Sequence, residues 1–564
     1  FFFKQKTAYE IPKRDWSSDV CSSDLLNATT YITHVGDYVT FSGATTVGGL
    51  NLNNEYVITQ VVSISPNATF KFDAGSNATS TVAAGGGVAI SAKFDIPIGY
   101  DITTAGYGWG SGGWGISKWG EAGALPIYQP ARLIYFDNDI ENLYFNIRYG
   151  VDWGTGYNSI FYWAKDTSFA TRAVTLSSLS GASDVPAEVI QIMFDDSSGV
   201  LMAFGCTPFG GGDLDRLLVR WSSIDNPITG VLGPRNWTVS SDPGISVAGY
   251  LRIQAGSQIM QAVSNTENIY VFTESSLTRM HYVGASYGTT NQLFSADLIS
   301  ADITLIGPRA VIAINSVLYW MGKDKFFMFT GQFETLPCTL RQHVFENINL
   351  EQADQFFAAS NERYHEVWWW YCSANSTTID SYVVFNYVEQ IWYYGNTDDS
   401  MCRTAWSDSP LRNYPQGASG NDNYIYYHEY GCDAGDSAMT SYITSSDMDL
   451  PADGNKFMLL RRIIPDISFS GSTTENGTNP TVDFTIAPRN FPGAAYMTTN
   501  AESQTYARGV TRSTTVPVEQ YTDQVFVRAR ARQMSFTVSS SGVKGVNWQL
   551  GSPRLDMRED GLRG

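Results

Sequence analysis

The sequence predicts an all-β protein, built as an irregular β-propeller with accessory small β-barrel or sandwich domains. Three observations lead to this fold class. The 564 residues include 51 Gly, 32 Tyr, 30 Phe and 15 Trp but only 16% charged residues, a composition typical of strands and turns. Two aromatic stretches joined by a polar connection lie between Phe356 and Gly395. Strand–turn–strand units that end in aromatic residues and a glycine recur along the chain.

The aromatic stretch Phe356–Gly395 indicates a strand that is buried on both faces. Side chains alternate along a strand, so Trp368 and Trp370 point to one face while Trp369 points to the other. A sheet with two apolar faces must lie between neighbouring layers, because each buried aromatic side chain removes about 150–250 Å² from water. We expect a structural core that contains Trp320, Trp368, Trp369, Trp370 and Trp392.

The recurring units predict propeller blades. Their closing glycines Gly284, Gly331, Gly395 and Gly431 are 47, 64 and 36 residues apart, and blades recur at about 40–50 residues. The spacing therefore favours a propeller of irregular blades. A possible helix, Leu350–Phe357, lies between two of them.

Residues 1–25 resemble a sequencing adapter that has been read as coding sequence, and they are set aside from the fold argument. We expect them to form a loose tail and the native N-terminus to be missing. Four domain ranges follow: the adapter-derived residues 1–25, a truncated small β domain at 26–95, the propeller at 96–435 and a C-terminal β-sandwich at 436–564. The glycine- and tryptophan-rich segment Tyr107–Gly120 is interpreted as a linker.

Charge and cysteine content exclude several classes of protein. The formal charge of −19 argues against a DNA clamp, because tight nucleic-acid binding uses Lys and Arg to displace counterions from phosphates. The cysteines outside the adapter-like segment are odd in number and contain no C-x-x-C pair, so we expect reduced thiols rather than a disulfide framework. No apolar run approaches the length of a transmembrane helix.

No combination of residues is typical of an active site. Gly284-Ala-Ser-Tyr-Gly288 matches a nucleophile pattern, but no convincing helix follows it. Gly108-Trp-Gly-Ser-Gly-Gly113 matches a dinucleotide-binding pattern, yet it opens no βαβ unit. We expect structural or surface roles for the scattered histidines His34, His281, His343, His365 and His428. The sequence predicts no catalytic residue, cofactor or metal site.

Two charged segments have competing interpretations. The acidic segment Asp137–Asn142 offers clustered oxygens to a cation but lacks the glycine and distal glutamate of an EF-hand loop, which favours a β-turn. Arg528, Arg530 and Arg532 lie at period two on one strand face. They form either a solvated face or a positive stripe that contacts DNA or an acidic neighbouring subunit.

Several segments together resemble the tail nozzle (tail tubular protein B) or tail hub family of short-tailed bacteriophages. The resemblance spans roughly residues 101–563 and rests on pattern and order rather than on a catalytic motif. Its segments are Ser275–Gly284, Ile306–Pro308, Val317–Gly331, Leu336–Cys338, Glu366–Gly395 and Trp548–Gly561.

The resemblance implies a non-enzymatic structural protein of the virion tail that assembles in the host cytoplasm. It implies a ring, a hexamer in this family, that contacts other tail proteins and conducts the genome during ejection, with transient non-specific contact to DNA. Arg528, Arg530 and Arg532 would then lie at the lumen or at a subunit boundary. Two alternatives stay open: a propeller-type polysaccharide-binding protein or glycoside hydrolase, and a head-completion protein that retains packaged DNA.

Overall fold

The computed structural model is nearly all β, with 49% of residues in strands and 5% in helices. It describes residues 2–4, 19–26, 38–63, 68–80, 85–87, 90–94, 133–139, 141–148, 159–168, 171, 173–224, 233–240, 245–265, 268–284, 293–396, 403–408, 414–419, 424–435, 437–450, 456–474, 477–497 and 510–562. The chain divides into two compact units, one of residues 1–410 and 417–425 and the other of residues 411–416 and 426–564. The boundary between the two units falls near residue 426, before the predicted boundary at 436. The predicted small β domain and most of the predicted propeller fall within the first unit.

The first sheet is a closed barrel with the strand order β1-β2-β5-β4-β3-β6. Its strands are β1 (Phe2–Lys4), β2 (Asp19–Leu26), β3 (Tyr38–Ser42), β4 (Glu55–Ser63), β5 (Ala68–Asp73) and β6 (Ser91–Phe94). Alternation in β3 turns Val39 and Phe41 inward, where they pack with Ile58, Phe70 and Phe72. An apolar interior of this kind holds a small barrel together.

The N-terminal residues differ from the expected loose tail. Phe2–Lys4 pairs with Asp19–Leu26, which in turn pairs with β5. The physical reason is that the edge of β5 presents backbone N–H and C=O groups to which an extended segment can hydrogen-bond whatever its side chains are. The adapter interpretation concerns the origin of these residues and stays a prediction.

Five four-stranded antiparallel sheets follow as propeller blades, and a three-stranded sheet ends the series. Blade 1 contains β7 (Leu133–Asn138), β8 (Leu143–Arg148), β9 (Phe161–Trp163) and β10 (Val174–Thr175). Blade 2 contains β11 (Val189–Asp195), β12 (Val200–Cys206), β13 (Asp215–Trp221) and β14 (Gly249–Arg252). Blade 3 contains β15 (Ile259–Ser264), β16 (Asn268–Thr273), β17 (Leu277–Tyr282) and β18 (Phe294–Ser300).

Blade 4 contains β19 (Val311–Ile314), β20 (Val317–Met321), β21 (Phe326–Phe329) and β22 (Phe333–Leu336). Blade 5 contains β23 (Phe357–Asn361), β24 (Glu366–Tyr371), β25 (Ser381–Asn386) and β26 (Ile391–Asn396). The last sheet contains β27 (Ala405–Ser407), β28 (Gln416–Ala418) and β29 (Ile425–Tyr427). Consecutive sheets contact one another through their first strands β7, β11, β15, β19, β23 and β27, as blades do around a propeller axis.

Helical structure is short. Helix α1 (Arg341–Phe345) and a 3-10 helix (Leu350–Gln355) lie between blades 4 and 5, so the predicted helix Leu350–Phe357 is a 3-10 segment that ends early. Phe357 instead begins β23, because its backbone pairs with the β24 strand. Further 3-10 turns are Leu176–Ser178, Gly233–Arg235 and Glu362–Tyr364.

Buried amide side chains join consecutive blades. The Nδ2 group of Asn146 in β8 donates to the carbonyl of Val189 (3.0 Å), and its Oδ1 accepts from the N–H of Ile192 (3.0 Å). Gln191 in β11 makes the same two-way contact with the backbone of Ala262 in β15, at 2.8 and 2.7 Å. Such buried amides fix the register of neighbouring blades, because any shift would leave polar groups unsatisfied.

Tryptophans make the layers on both sides of blade 5. Trp369 packs on Phe326 of blade 4 (ring centroids 4.8 Å apart) and donates its indole N–H to Ala310 (3.2 Å). On the opposite face Trp368 stacks on Trp406 (5.5 Å), whose indole N–H donates to Ser360 in β23 (2.8 Å). Both faces of blade 5 are thus covered by neighbouring sheets. Trp320, Trp368, Trp369 and Trp370 are buried, and Trp392 is half-buried while donating to Pro337 (2.7 Å).

The C-terminal unit contains two main sheets with the strand orders β32-β38-β35-β36 and β37-β33-β40. Side chains of both sheets share one apolar core that includes Met458, Leu460, Phe484, Val527 and Val538. Its strands are β30 (Asp433–Ala434), β31 (Ser437–Ala438), β32 (Tyr442–Thr444), β33 (Lys456–Ile464), β34 (Ile467–Ser468), β35 (Thr481–Arg489), β36 (Thr514–Glu519), β37 (Val525–Ala531), β38 (Gln533–Ser540), β39 (Gln549–Leu550) and β40 (Arg554–Leu562). The small pairs β30–β31 and β34–β39 complete it.

Candidate functional site

The outer face of sheet β37-β33-β40 carries an unusual density of arginines, and we call it the arginine face. Strand β37 reads Val-Phe-Val-Arg-Ala-Arg-Ala, and its valines and alanines are buried in the core. Phe526, Arg528 and Arg530 therefore point away from the core. The face consists of Phe526, Arg528 and Arg530 of β37, Leu459, Arg462 and Ile464 of β33, and Arg554, Asp556, Arg558 and Asp560 of β40, with Arg532 after the end of β37. The buried ring of Phe457 lies beneath Arg530.

The three predicted arginines have different surroundings. Arg528 is exposed and makes no ion pair with any described residue. Arg530 is half-buried, pairs with the Asp560 carboxylate and donates to the Asp560 carbonyl (3.0 Å). Its guanidinium lies 4.1 Å from the centre of the Phe457 ring, and that of Arg532 lies 5.2 Å from the same ring. Cation–π contacts of this kind hold Arg530 and Arg532 against the sheet.

Neighbouring strands bring three more arginines to the same face. Leu459 pairs with Arg530 on one side and with Arg558 on the other, and Arg462 pairs with Asp556. Arg462 and Arg558 each lie near the Asp556 carboxylate, at 3.9 and 3.7 Å. Arg554 is exposed, stands opposite Ile464 and makes no ion pair with any described residue. Sequence reasoning missed these residues, although Arg554 and Arg558 occupy even positions of an alternating strand that could have indicated them.

The arginine face is a positive region in an acidic protein. Among the described residues of the face, Arg462, Arg528, Arg530, Arg554 and Arg558 stand against only two carboxylates, those of Asp556 and Asp560. Residues 426–564 contain 13 basic and 15 acidic residues, whereas residues 1–425 contain 23 basic and 40 acidic ones. Phe526 adds an aromatic ring that is 74% exposed. This combination of guanidinium groups and an exposed ring fits recognition of another macromolecule.

The four described histidines occupy separate positions, two of them exposed (His343 and His365) and two half-buried (His281 and His428). His281 lies 3.5 Å from Asp297, His343 packs its ring on Tyr394, and His365 contacts the Tyr387 hydroxyl at 3.3 Å. His428 is half-buried, and His34 lies outside the described residues. Among the described residues, His, Cys, Asp and Glu form no group that could hold a metal ion.

The acidic segment after β7 forms a turn. The Asp139 carboxylate accepts from the backbone N–H groups of Glu141 (3.1 Å) and Asn142 (2.7 Å) and from the Tyr144 hydroxyl (2.8 Å). The Asp139 carboxylate is therefore bound within its own turn, which agrees with interpreting this segment as a β-turn. Of the nucleophile-like segment only Gly284 is described, and residues 107–120, which include the glycine pattern 108–113 and the predicted linker, lie outside the described residues.

Two carboxyl groups with raised pKa values accept hydrogen bonds within and between blades. Burial raises the pKa of Glu366, which accepts from the indole N–H of Trp368 (2.9 Å) and from the Tyr393 hydroxyl. Burial also raises the pKa of Asp137, although its Oδ2 accepts from the N–H of Phe194 across blades 1 and 2 (2.8 Å). Each carboxyl is bound to neighbouring strands, so its raised pKa reflects packing.

Cysteines of the described residues form no disulfide. Burial raises the pKa of the Cys206 thiol to about 12 and that of the Cys338 thiol to about 11. Raised values keep a thiol protonated at neutral pH and therefore weakly nucleophilic. Cys402 lies outside the described residues.

No helix among the described residues is long and apolar enough to cross a membrane. No protein-family model matches the chain, and a comparison with curated proteins gives no match.

Several solved structures resemble the chain at very low identity. A proposed 6-phosphogluconolactonase from Bacteroides fragilis is 10% identical over 70% of this chain and 90% of that chain, with a TM-score of 0.34. The exo-β-1,3-galactanase of Phanerochaete chrysosporium is 9% identical over 75% and 95%, with a TM-score of 0.22. The Trypanosoma rangeli sialidase is 8% identical over 74% and 92%, with a TM-score of 0.29. At these values the matches carry no argument about function.

Proposed function

We propose that this chain is a structural protein of a bacteriophage tail that forms a ring-shaped nozzle or hub and conducts the genome during ejection. The observation that carries the proposal is the uneven distribution of charge. Residues 1–425 are strongly acidic, while the C-terminal unit presents the arginine face. A conduit needs a surface that does not hold DNA and another surface that holds its neighbours.

The acidic balance suits passage of DNA. Each phosphate that a protein neutralises adds to affinity through counterion release, so a cationic lumen would retain the genome. A net negative charge avoids those contacts and leaves only transient, non-specific contact with DNA. The segments behind the tail-nozzle resemblance include the β20–β21 hairpin, strands β24 to β26 and strand β40.

The blades favour a mechanical role. Buried amides and tryptophans join consecutive blades: Gln191 makes two hydrogen bonds with Ala262, and Trp406 makes one with Ser360. Interlocked layers of this kind resist deformation, because sliding one blade breaks hydrogen bonds and aromatic packing together. The carboxyls of Glu366 and Asp137 are committed to these contacts, so the proposal includes no catalytic residue and no cofactor.

The proposal places the chain in the virion tail, as a homo-oligomeric ring that contacts other tail proteins. The resemblance implies six copies. A ring also explains why an acidic chain would carry a cationic face. In a heterologous interface, one surface of each copy binds a different surface of the next copy.

Mass photometry and negative-stain electron microscopy of the purified chain test this function. We expect closed rings with a central channel wide enough for duplex DNA, and no release of reducing ends from bacterial polysaccharides. A monomer at every concentration that hydrolyses a polysaccharide would overturn the proposal in favour of the glycoside hydrolase. Labelling within a particle at the head–tail junction, rather than at the distal end, would instead assign it to head completion.

A further inference from the structure

Two guanidinium groups and one aromatic ring of the arginine face are exposed and do not contribute to the core of the C-terminal unit. Arg528 and Arg554 are exposed and make no ion pair with described residues, and Phe526 is 74% exposed. A solvated strand face needs neither a large exposed aromatic ring nor an excess of arginine. Both are enriched where a protein surface is buried by a partner.

The chemistry of the face favours a protein partner over DNA. Asp556 and Asp560 lie among the arginines and bind Arg462, Arg558 and Arg530. Carboxylates at these positions would repel a phosphate backbone. DNA-binding surfaces are more uniformly positive, whereas mixed charges with an aromatic anchor are typical of protein interfaces.

A surface of complementary charge lies on blades 1 and 2 of the same chain. The C-terminal ends of β7 and β11 are adjacent, because the N–H of Phe194 donates to Asp137 (2.8 Å). The turns that follow these two strands therefore lie close together, and Asp196 is near enough to Asp137 to act on its charge.

Lys165 pairs with Glu141 (2.6 Å) and brings Asp166 to this surface. Arg235, which lies over the Tyr162 ring, is a second cation nearby, and the acidic residues still outnumber these two. We call the carboxylates that remain available on this surface the acidic turns: Glu141, Asp166, Asp195 and Asp196. Asp137 and Asp139 add negative charge behind them but are already bound within blades 1 and 2.

We propose that the arginine face of one copy of this chain binds the acidic turns of a second copy. The contact is heterologous, so each copy binds one neighbour through its arginine face and another neighbour through its acidic turns. Repeating this contact closes a ring if the rotation between copies allows it. This inference rests on the proposed function, since it names the surfaces by which the ring would assemble. Phe526 anchors the centre of the contact, and Arg528 and Arg554 pair with carboxylates of the turns.

Charge reversal tests the pairing. The double variant Arg528→Glu with Arg554→Glu in the full chain places like charges opposite each other, so we expect the dissociation constant for self-association to rise about 100-fold or more. The double variant Asp166→Arg with Asp196→Arg should do the same. Lys323→Glu with Lys544→Glu makes the same change in net charge at exposed lysines elsewhere and should assemble normally.

Mixing the variants separates a direct contact from general repulsion. A copy with the reversed arginine face and a copy with reversed acidic turns should fail to assemble alone but should assemble when mixed, because both new interfaces are again complementary. Mass photometry of each variant and of the mixture measures the masses. Circular dichroism of each variant verifies that it is folded.

Phe526→Ser tests the aromatic anchor. We expect about 30-fold weaker association, as for loss of an interface hot spot. Tyr521→Ser is the matched control, since Tyr521 is 75% exposed in the same unit and lies outside the arginine face.

The outcomes distinguish the two proposals. Rings that persist in both charge-reversed variants would overturn the interface and leave the nozzle function standing. A wild-type chain that never self-associates would overturn both. Duplex DNA binding that is lost with Arg528→Glu and Arg554→Glu, without any change in self-association, would overturn the protein partner and assign the face to a polyanion.

Discussion

Strands β24 and β37 differ by one residue in length, yet one is buried on both faces and the other on one. All six residues of β24, Glu366–Tyr371, are buried, because blade 4 covers one face and Trp406 covers the other. Strand β37 alternates, with Val525 and Val527 in the core and Phe526 and Arg528 exposed.

The difference shows how the same strand geometry serves two purposes. A strand between two layers contributes apolar packing in both directions and offers nothing to a partner. A strand on the outside of a sandwich stabilises its unit with half of its residues and leaves the other half to function. Stability and recognition are therefore carried by different parts of this chain.

The largest expected effect is at the centre of the double-sided strand. Trp369→Ala removes a ring that packs on Phe326 and an indole N–H that donates to Ala310, and we expect a loss of about 3–5 kcal/mol in the free energy of unfolding. Urea unfolding followed by circular dichroism measures it. Ile391→Ala in the same blade removes a side chain that is 54% exposed and should change stability little. Equal losses from the two variants would mean that β24 is not enclosed.

A smaller effect is expected where a second tryptophan closes the other face. Trp406→Phe keeps an aromatic ring near Trp368 but removes the indole N–H that donates to Ser360, so we expect a loss of about 1 kcal/mol. Thermal unfolding measures the shift. Trp548→Phe deletes a comparable bond to the Ser441 hydroxyl in the C-terminal unit. If the two units unfold separately, each variant should shift a different transition.

The pH dependence of stability gives a third test of enclosure. Burial raises the pKa of Glu366, so the folded protein holds this proton more tightly than the unfolded chain does. Stability contributed by the protonated group is complete below the unfolded pKa and is lost as the pH rises through the folded pKa.

Glu366→Gln removes this titration. We expect the wild type to lose stability relative to the variant as the pH rises from 4 towards neutrality. Denaturant unfolding across that range measures the difference. Glu389→Gln, at an exposed site in the same blade, is the control and should follow the wild type. A wild type that instead gains stability relative to Glu366→Gln over this range would show that the carboxylate is favoured in the folded state.

The smallest effect is expected on the outer strand. Phe526→Ser should change the unfolding free energy of the monomer by no more than about 0.5 kcal/mol, because the ring is exposed. Val527→Ser, one residue further along, should be clearly destabilising because that side chain faces the core. Denaturant unfolding at low protein concentration and high salt isolates the monomer. The reverse order would mean that the alternation in β37 is shifted by one residue.

Local sequence patterns were sufficient for much of the fold. The tryptophan run 368–370 predicted burial on both faces, and the alternation in β37 predicted which of its residues face outward, since both follow from the period of a strand. The sequence predicts a helix at Leu350–Phe357, whereas the structure has a 3-10 helix that ends at Gln355. It ends there because Phe357 belongs to β23 and pairs with β24. The strands formed by residues 2–4 and 19–26 are not predicted, because the resemblance of residues 1–25 to a sequencing adapter sets them aside from the fold argument.

The sequence by itself determined the all-β fold class, the aromatic blades, and the arginines of β37, because each depends on residues adjacent in the chain. Only the tertiary structure decided that Arg462, Arg554 and Arg558 join Arg528 and Arg530 on one face, and that Phe457 lies beneath Arg530 and Arg532. Strand pairing brings β33 beside β37 and β40, which lie far along the chain from it, and no local pattern records which strands will become neighbours.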